Sequence, residues 1–333
     1  MNRELRNRAL NIGVILAFAA VLSAQDKGKE LVWPTPPDKA RIQYVETISS
    51  LEKFQPKKSF LSKLFGFITG GDRPSPWLVQ PVGIAVGPDG RIFVADPGAN
   101  CIHILDLAEG KYDAITETRY GKFLSPVGIA FSDDGSMYVS DSKRGDVILF
   151  DHDLNAQGEI RSPLDRPAGL LVLKNRLYVV DVGNHDVAVF DLSGKFLSSF
   201  GRRGSADGEF NYPVSLAGHD SVYVVDALNY RIQKFSPDGI HSITFGTQGT
   251  VAGKFASPKG VALDSDSDVY VTDALMDNFQ IFDSQGRLLL VVGQHGSQPG
   301  EFMSPGGIAI DSGNRIYIVE TLNKRIQIFQ YLK

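Results

Sequence analysis

The sequence contains a single cysteine, Cys101, in 333 residues. One thiol cannot form a disulfide within the chain, and a zinc module built from several cysteines is excluded. Because Cys101 lies within a run of strand-like residues, we interpret it as a small buried residue rather than as a nucleophile. The fold must therefore be stabilised by packing.

The sequence also has no large excess of charge of either sign. It contains 34 Lys and Arg against 38 Asp and Glu, which gives a formal net charge of -4. A general nucleic-acid-binding protein would present a basic surface that this composition does not supply. We therefore expect no nucleic-acid partner.

A long apolar run occurs once, at residues 13–22 ("GVILAFAAVL"). Three arginines precede this run, and two small residues, Ser23 and Ala24, follow it. These features predict a signal peptide at residues 1–24, because the apolar segment is too short to span a bilayer comfortably. We expect an exported protein, periplasmic or extracellular. An uncleaved N-terminal membrane anchor is the alternative.

Self-similarity is the strongest signal in the rest of the chain. The stretch "PVGIAVGPDGRIFVADPGANCIHILD" begins at Pro81, and related stretches follow at intervals of 41 to 47 residues. The six units begin at Pro81, Pro126, Pro167, Pro213, Pro258 and Pro305. The chain from Pro81 onward is therefore six copies of one structural unit.

Each unit contains short apolar runs separated by turn residues such as "PDG", "DDG" and "SGN", which favours strands over helices. We assign four antiparallel strands to each unit and name them a to d, from inside to outside. A twisted four-stranded sheet cannot bury both of its faces alone, so the copies must pack face to face around an axis. The sequence therefore predicts an all-β protein, a six-bladed β-propeller.

Three repeated positions fit this architecture. A glycine two residues after most of the leading prolines suits crowded inner strands, and an aromatic residue in strand b fills the space between blades. An acidic residue ends strand b, where it can accept hydrogen bonds from the backbone N–H groups of the following turn. The acidic residues are Asp96, Asp141, Asp181, Asp226, Asp273 and, in the last unit, Glu320.

The repeated pattern resembles NHL repeats. The units read P-x-G-I-A, I-Y-V-x-D and N-x-R-I-Q-x-F, and linkers such as "FGRRGSADGEF" join some of them. Asn229, Arg231, Asn323 and Arg325 match the N-x-R turn, whereas the first three units and the fifth depart from it. The resemblance covers Pro81 to Phe329, and the preceding "WPTPPDKARI" is similar to an arm found in bacterial exported members. It implies a six-bladed NHL-type propeller.

The sixth unit ends after its third strand, so its outer strand must come from elsewhere. Residues 40–50 are strand-like and have no unit of their own, and we predict that they close the ring as the outer strand of the last blade. The propeller then covers residues 40–333, and residues 25–39 form a Pro-rich extended arm. Residues 59–69 have helical spacing and predict a helix that crosses from the last blade to the first; a membrane- or partner-docking helix is the alternative.

The b-to-c turns and the d-to-a linkers must open on the same side of the ring, which we call the loop face. This side is the default binding surface of such a scaffold. The residues that follow the leading prolines, near the channel mouth, include no histidine or carboxylate, so the sequence predicts no metal site, no cofactor and no catalytic residues. "DSDSD" (residues 264–268) lacks the glycine and glutamate of a calcium loop.

Basic and aromatic residues on the loop face are the candidate binding residues, because arginine and tyrosine often anchor interfaces. Ordinary solvated charge is the alternative for each of them, and Arg231 could instead hold a neighbouring turn. The candidates are Lys143, Arg144, Arg202, Arg203, Tyr230, Arg231 and Lys259.

The sequence predicts a non-catalytic binding or scaffold protein of the bacterial cell envelope. We expect a monomer that recognises a protein or an extracellular ligand through the loop face. The alternative is a metal-dependent hydrolase or lyase, resembling the lactone hydrolases or amidating lyases among six-bladed propellers, with its site in the central channel. The resemblance to animal NHL proteins does not extend to ubiquitin ligation, because no RING-type Cys/His cluster is present.

Overall fold

The computed structural model describes residues 30–54 and 77–333. The predicted signal peptide, residues 1–24, and the predicted crossing helix, residues 59–69, lie outside the described residues. The described part is built from strands, with two short 3-10 helices at Leu51–Phe54 and Ala227–Asn229. No helix in this part is both long and apolar enough to cross a membrane.

The strands form six antiparallel sheets, the blades of the ring, and five of these sheets have four strands each. Successive strands along the chain are neighbours within these five blades. Blade one contains β3 (Gly83–Val86), β4 (Ile92–Asp96), β5 (Cys101–Asp106) and β6 (Lys111–Ile115); a small hairpin, β7 (Glu117–Thr118) and β8 (Gly121–Lys122), follows it. Blade two contains β9 (Pro126–Phe131), β10 (Met137–Asp141), β11 (Asp146–Phe150) and β12 (Ala156–Ile160). Blade three contains β13 (Pro167–Leu173), β14 (Arg176–Asp181), β15 (Asp186–Asp191) and β16 (Phe196–Phe200).

The other blades continue this arrangement. Blade four contains β17 (Pro213–Gly218), β18 (Val222–Asp226), β19 (Arg231–Phe235) and β20 (His241–Phe245). Blade five contains β21 (Pro258–Leu263), β22 (Val269–Asp273), β23 (Asn278–Phe282) and β24 (Leu288–Val292). Blade six begins with β25 (Pro305–Ile310), β26 (Arg315–Glu320) and β27 (Arg325–Tyr331).

A strand from the beginning of the chain completes blade six. The strand β2 (Ile42–Ile48) pairs antiparallel with β27, with Ile42 opposite Tyr331 and Ile48 opposite Ile326. The predicted closure of the ring by an N-terminal strand is therefore confirmed. The two-residue strand β1 (Val32–Trp33) pairs with β2 and makes this blade five-stranded, because the arm turns back along β2.

Apolar side chains fill the spaces between neighbouring blades. The aromatic residue of each strand b is at most 3% exposed, as the repeat pattern predicts: these residues are Phe93, Tyr138, Tyr178, Tyr223, Tyr270 and Tyr317. One such cluster joins blades three and four and contains Tyr178, Phe210 and Phe235. Each blade therefore depends on its neighbours for the burial of its faces.

The acidic residue at the end of strand b joins two loops. The carboxylate of Asp96 accepts hydrogen bonds from the backbone N–H groups of Val79 (2.7 Å), Gln80 (2.9 Å) and Ala99 (3.0 Å). The bond from Ala99 in the following turn is the predicted one, and the two bonds from the preceding linker are additional. Each such carboxylate therefore connects the linker and the turn on the loop face to the end of strand b.

In blade four the N-x-R arginine extends this network. Nε of Arg231 donates to Asp226 at 2.8 Å, and the same guanidinium group donates to the backbone carbonyls of Ser205, Ala206 and Glu209. Arg325 makes the equivalent contacts around Glu320 in blade six. These arginines therefore hold the long linkers in place, which is the structural alternative considered for Arg231.

Blade three has a carboxylate where blades four and six have an arginine. Asp186 lies opposite Asp181 in the register, as Arg231 lies opposite Asp226. Burial, together with the charge of Asp181, raises the pKa of Asp186 to about 6. A cavity of about 360 Å³ lies beside these two carboxylates.

The closing strand gives a first prediction. Ile48 is 1% exposed and lies in β2, so Ile48→Ala should lower the free energy of unfolding by about 2–5 kcal/mol. Val45 lies in the same strand but is 47% exposed, and Val45→Ala should change the free energy of unfolding by at most about 0.5 kcal/mol.

Deletion of residues 41–49 should lower the melting temperature of the whole ring. An unchanged melting temperature after this deletion would show that the ring does not depend on β2.

The buried arginines give a second prediction. Arg325→Met removes a 7% exposed guanidinium group and leaves Glu320 buried without its charge partner, which should cost about 3–5 kcal/mol. The control is Arg287→Met: this side chain is 80% exposed in its ion pair with Asp283, and its loss should cost less than about 1 kcal/mol. Denaturant unfolding measures both values, and equal costs would contradict the structural role of Arg325.

Asp186 gives a prediction about pH. Its pKa is raised in the folded state, so the folded protein holds a proton that the unfolded chain releases at lower pH. Its contribution to stability is therefore lost as pH rises from about 4 to about 6. Asp186→Asn should remove this dependence and stabilise the protein at neutral pH by about 1–2 kcal/mol. Asp220→Asn, at a 95% exposed side chain, is the control; the same pH profile in Asp186→Asn as in the unmodified protein would refute the prediction.

Candidate functional site

The inner strands of the six blades surround a central cavity of about 600 Å³. Their backbones approach closely at the axis, as the glycine pattern predicts. A Cβ atom on Gly83 would clash with the carbonyl oxygen of Val127, and one on Gly128 would clash with that of Ala168. Glycine at these positions therefore lets neighbouring blades meet at the wall of the cavity.

Hydroxyl groups link the strands of this wall across blade boundaries. The backbone N–H of Gly128 donates to Oγ of Ser140 at 2.8 Å, and this hydroxyl donates to the backbone carbonyl of Ala168 in the next blade at 2.5 Å. Thr272 makes the same link between blades five and six. The relays satisfy backbone groups that would otherwise be unpaired at the crowded axis.

The side chains that line the cavity are mainly aliphatic. Lys259 and His219 are the ionisable residues among the described lining residues, which include no Asp, Glu or Cys. Lys259 lies near the start of β21, at the loop face, whereas His219 follows the end of β17, at the opposite end of the channel. Within residues 30–54 and 77–333, no three His, Cys, Asp or Glu side chains form a group that could hold a metal ion. The cavity lining therefore does not fit a catalytic metal.

Two of the seven candidate binding residues have largely buried side chains whose guanidinium groups are engaged within the protein. Arg144 donates to both carboxylate oxygens of Asp146 and to the backbone carbonyls of Tyr120 and Lys122. The hydrogen bond with Asp146 raises the pKa of Arg144. Arg231 holds the linker of blade four in the same way. Both residues stabilise loops of the loop face.

The other candidate residues are distributed around the ring. Arg202 pairs with Glu209 at 2.9 Å and remains 80% exposed. Tyr230 is half-buried and packs against the core between blades four and five. Lys143, Arg203 and Lys259 are exposed. Of the seven, only Lys259 lines the cavity, so the structure does not bring this set to one point.

The structure also shows exposed apolar residues on the loop face that the sequence reasoning missed. The second residue after the strand-b acid is Leu228, Leu275 or Leu322 in blades four to six, and these side chains are 51%, 73% and 63% exposed. Equivalent positions in successive blades lie at the same height on the ring. The signal is visible when the repeats are aligned, because the other three blades have Gly98, Lys143 and Gly183 at this position.

Further apolar residues lie around the same channel mouth. Val79 and Leu124, each two residues before a leading proline, are 44% and 46% exposed, and Tyr212 is 39% exposed. The side chain of Arg166 lies over the ring of Tyr212, 5.0 Å from its centroid. We call this surface the apolar crown. It consists of Val79, Leu124, Tyr212, Leu228, Leu275 and Leu322.

Comparison with known families agrees with this architecture. Residues 161–248 and 256–331 match a family model described as a 6-bladed beta-propeller, and residues 78–105 match the NHL repeat model. No curated protein matches the sequence significantly.

Several solved structures have a similar fold. A virginiamycin B lyase from Staphylococcus aureus is 15% identical, with a TM-score of 0.57 over 76% of this chain and 95% of that chain. An auxiliary nutrient binding protein from Bacteroides thetaiotaomicron is 15% identical, with a TM-score of 0.60 over 77% and 70% of the two chains. A gluconolactonase from Xanthomonas campestris is 14% identical, with a TM-score of 0.59 over 77% and 87%. These low identities establish a shared fold, not a shared activity. The repeats, the six blades and the family matches together identify the chain as an NHL-repeat six-bladed β-propeller.

Proposed function

We propose that this propeller is a non-catalytic binding scaffold of the cell envelope and that a partner protein docks on its loop face. The apolar crown is the observation that carries the proposal. Burial of one leucine side chain contributes about 1.5–3 kcal/mol. Three leucines at one height in adjacent blades can contact a single partner together, and Val79, Leu124 and Tyr212 extend the contact around the channel mouth.

The surroundings of the crown support the same proposal. Lys143 occupies the position of the three leucines in blade two, on the opposite side of the ring, and is exposed. Arg166, whose side chain lies over the ring of Tyr212, adds positive charge beside the crown. A partner with an apolar centre and an acidic rim would complement this surface, and the charges would increase its rate of association.

The alternative of a metal-dependent hydrolase or lyase has less support. The described residues that line the cavity provide no carboxylate for a divalent metal. The lyase and the gluconolactonase of similar fold are each at most 15% identical to this chain. We therefore place the recognition site on the loop face rather than at a channel metal.

Site-specific photocrosslinking in the native host tests this proposal. A photoreactive amino acid at Leu275, which is 73% exposed on the loop face, should give a discrete protein adduct. The control position is Ile240, which is 70% exposed in a turn on the opposite face. An adduct of equal yield at Ile240, or no adduct at Leu275, would refute docking on the crown.

A combined variant, in which Leu228, Leu275 and Leu322 are replaced by serine, separates binding from stability. It should weaken capture of the crosslinked partner by at least about tenfold, because it removes three apolar contacts. Its melting temperature should stay close to that of the unmodified protein, because the three side chains are exposed. Unchanged capture would contradict the proposal.

A further inference from the structure

We propose that the central cavity is a second, separate binding site and that its ligand is an organic carboxylate with an extended apolar body. The carboxylate head would be held by Nζ of Lys259 at the loop face, and the apolar body would lie along the channel. This site does not depend on docking of a partner to the apolar crown.

The position of Lys259 is the first argument. It is the residue after the leading proline of blade five, and the five equivalent residues are Val82, Val127, Ala168, Val214 and Gly306. The other five blades all have a small or apolar residue at this position. Packing of the ring therefore does not require a lysine in blade five. Lys259 is exposed and forms no ion pair with any described carboxylate. Its ammonium group is therefore available to a ligand.

The nearest acidic residue in the register forms no ion pair with Lys259. Asp273 lies opposite Pro258, next to Lys259 along the chain. Its carboxylate accepts hydrogen bonds from the backbone N–H groups of Ala256 and Ser257, at 2.7 and 2.9 Å, and from two further amides in the following turn. Because Asp273 is fully buried and its oxygens are occupied by these donors, it leaves the ammonium group of Lys259 free to bind a ligand.

The ionisable residues of the whole lining favour a ligand with a negative charge. The described lining residues include one lysine and one histidine but no carboxylate. In a channel walled by protein, one fixed charge acts over a longer distance than it would in open solvent. The lining therefore offers a positively charged partner to an anion and no carboxylate ligand to a divalent cation.

The residues that line the cavity below Lys259 favour an apolar body for the ligand. Each blade contributes at least one branched aliphatic residue below this level, three residues after its leading proline: Ile84, Ile129, Leu170, Leu216, Val261 and Ile308. A six-residue strand such as β21 spans about 20 Å. The volume of about 600 Å³ lies within the usual range of small-molecule sites, roughly 300–1,000 Å³. A ligand with one charged end and an apolar chain matches this combination.

Calorimetric titration of the full-length protein with octanoate, acetate and octanamide tests the proposal. Octanoate should bind, acetate should bind more weakly because it lacks the apolar chain, and octanamide should bind about tenfold more weakly because it lacks the charge. Lys259→Met should weaken octanoate binding about tenfold, and Lys259→Arg should retain it. Lys254→Met is the matched control: Lys254 is an exposed lysine of the preceding linker, outside the cavity, and its loss should leave binding unchanged.

Three results would overturn the proposal: no binding of octanoate, equal binding of octanamide, or unchanged octanoate binding in Lys259→Met. If Lys259→Met does not fold, the comparison of octanoate with octanamide in the unmodified protein decides. The variant with serine at the three crown leucines should bind octanoate normally. A failure of crosslinking at Leu275 and a failure of octanoate binding would therefore be distinguishable, since each concerns a different surface.

Discussion

The pairing of β2 with β27 is the interaction on which the rest of the structure depends. Blades of a propeller bury their faces only against each other, so an unclosed ring would expose the side of blade one and that of blade six. The cavity also exists only inside a closed ring, because each inner strand contributes one part of its wall. Both candidate binding surfaces, the apolar crown and the cavity, are therefore consequences of a seven-residue strand near the start of the chain.

Residues that recur in all six units form the rigid frame of the ring. Residues that differ between units form the two candidate binding surfaces. The acid at the end of strand b fastens two loops in every blade, and hydroxyl relays join neighbouring inner strands. On this regular frame, three leucines appear in adjacent blades at one turn position, and one lysine appears among six residues at the channel mouth. A feature that occurs in one half of the ring, or in one blade, is not required by the packing shared by all six.

Much of the fold could be predicted because the same physical requirements recur six times. The leading prolines, the glycines at the axis and the interblade aromatics predict the blades, and the missing strand of blade six predicts the closure. The two-residue strand β1 could not be predicted, because nothing in its sequence separates it from an extended arm. The role of Arg144 could not be predicted either, because it bonds the hairpin after blade one, which has no counterpart in the other units. The leucines of the apolar crown stand out only when the six units are aligned, because the same turn position has glycine or lysine in the other three blades.

The two strands that close the ring are separated along the chain by five complete blades and the first two strands of blade six. During synthesis, β2 is made before any of the inner strands, whereas its partner β27 is made only after all six of them. Contacts between segments so distant in sequence form slowly, because the closure of a long loop must come before the contact can stabilise it. Until β27 has been made, β2 therefore keeps an unpaired edge, the condition in which β-rich proteins most need protection from aggregation.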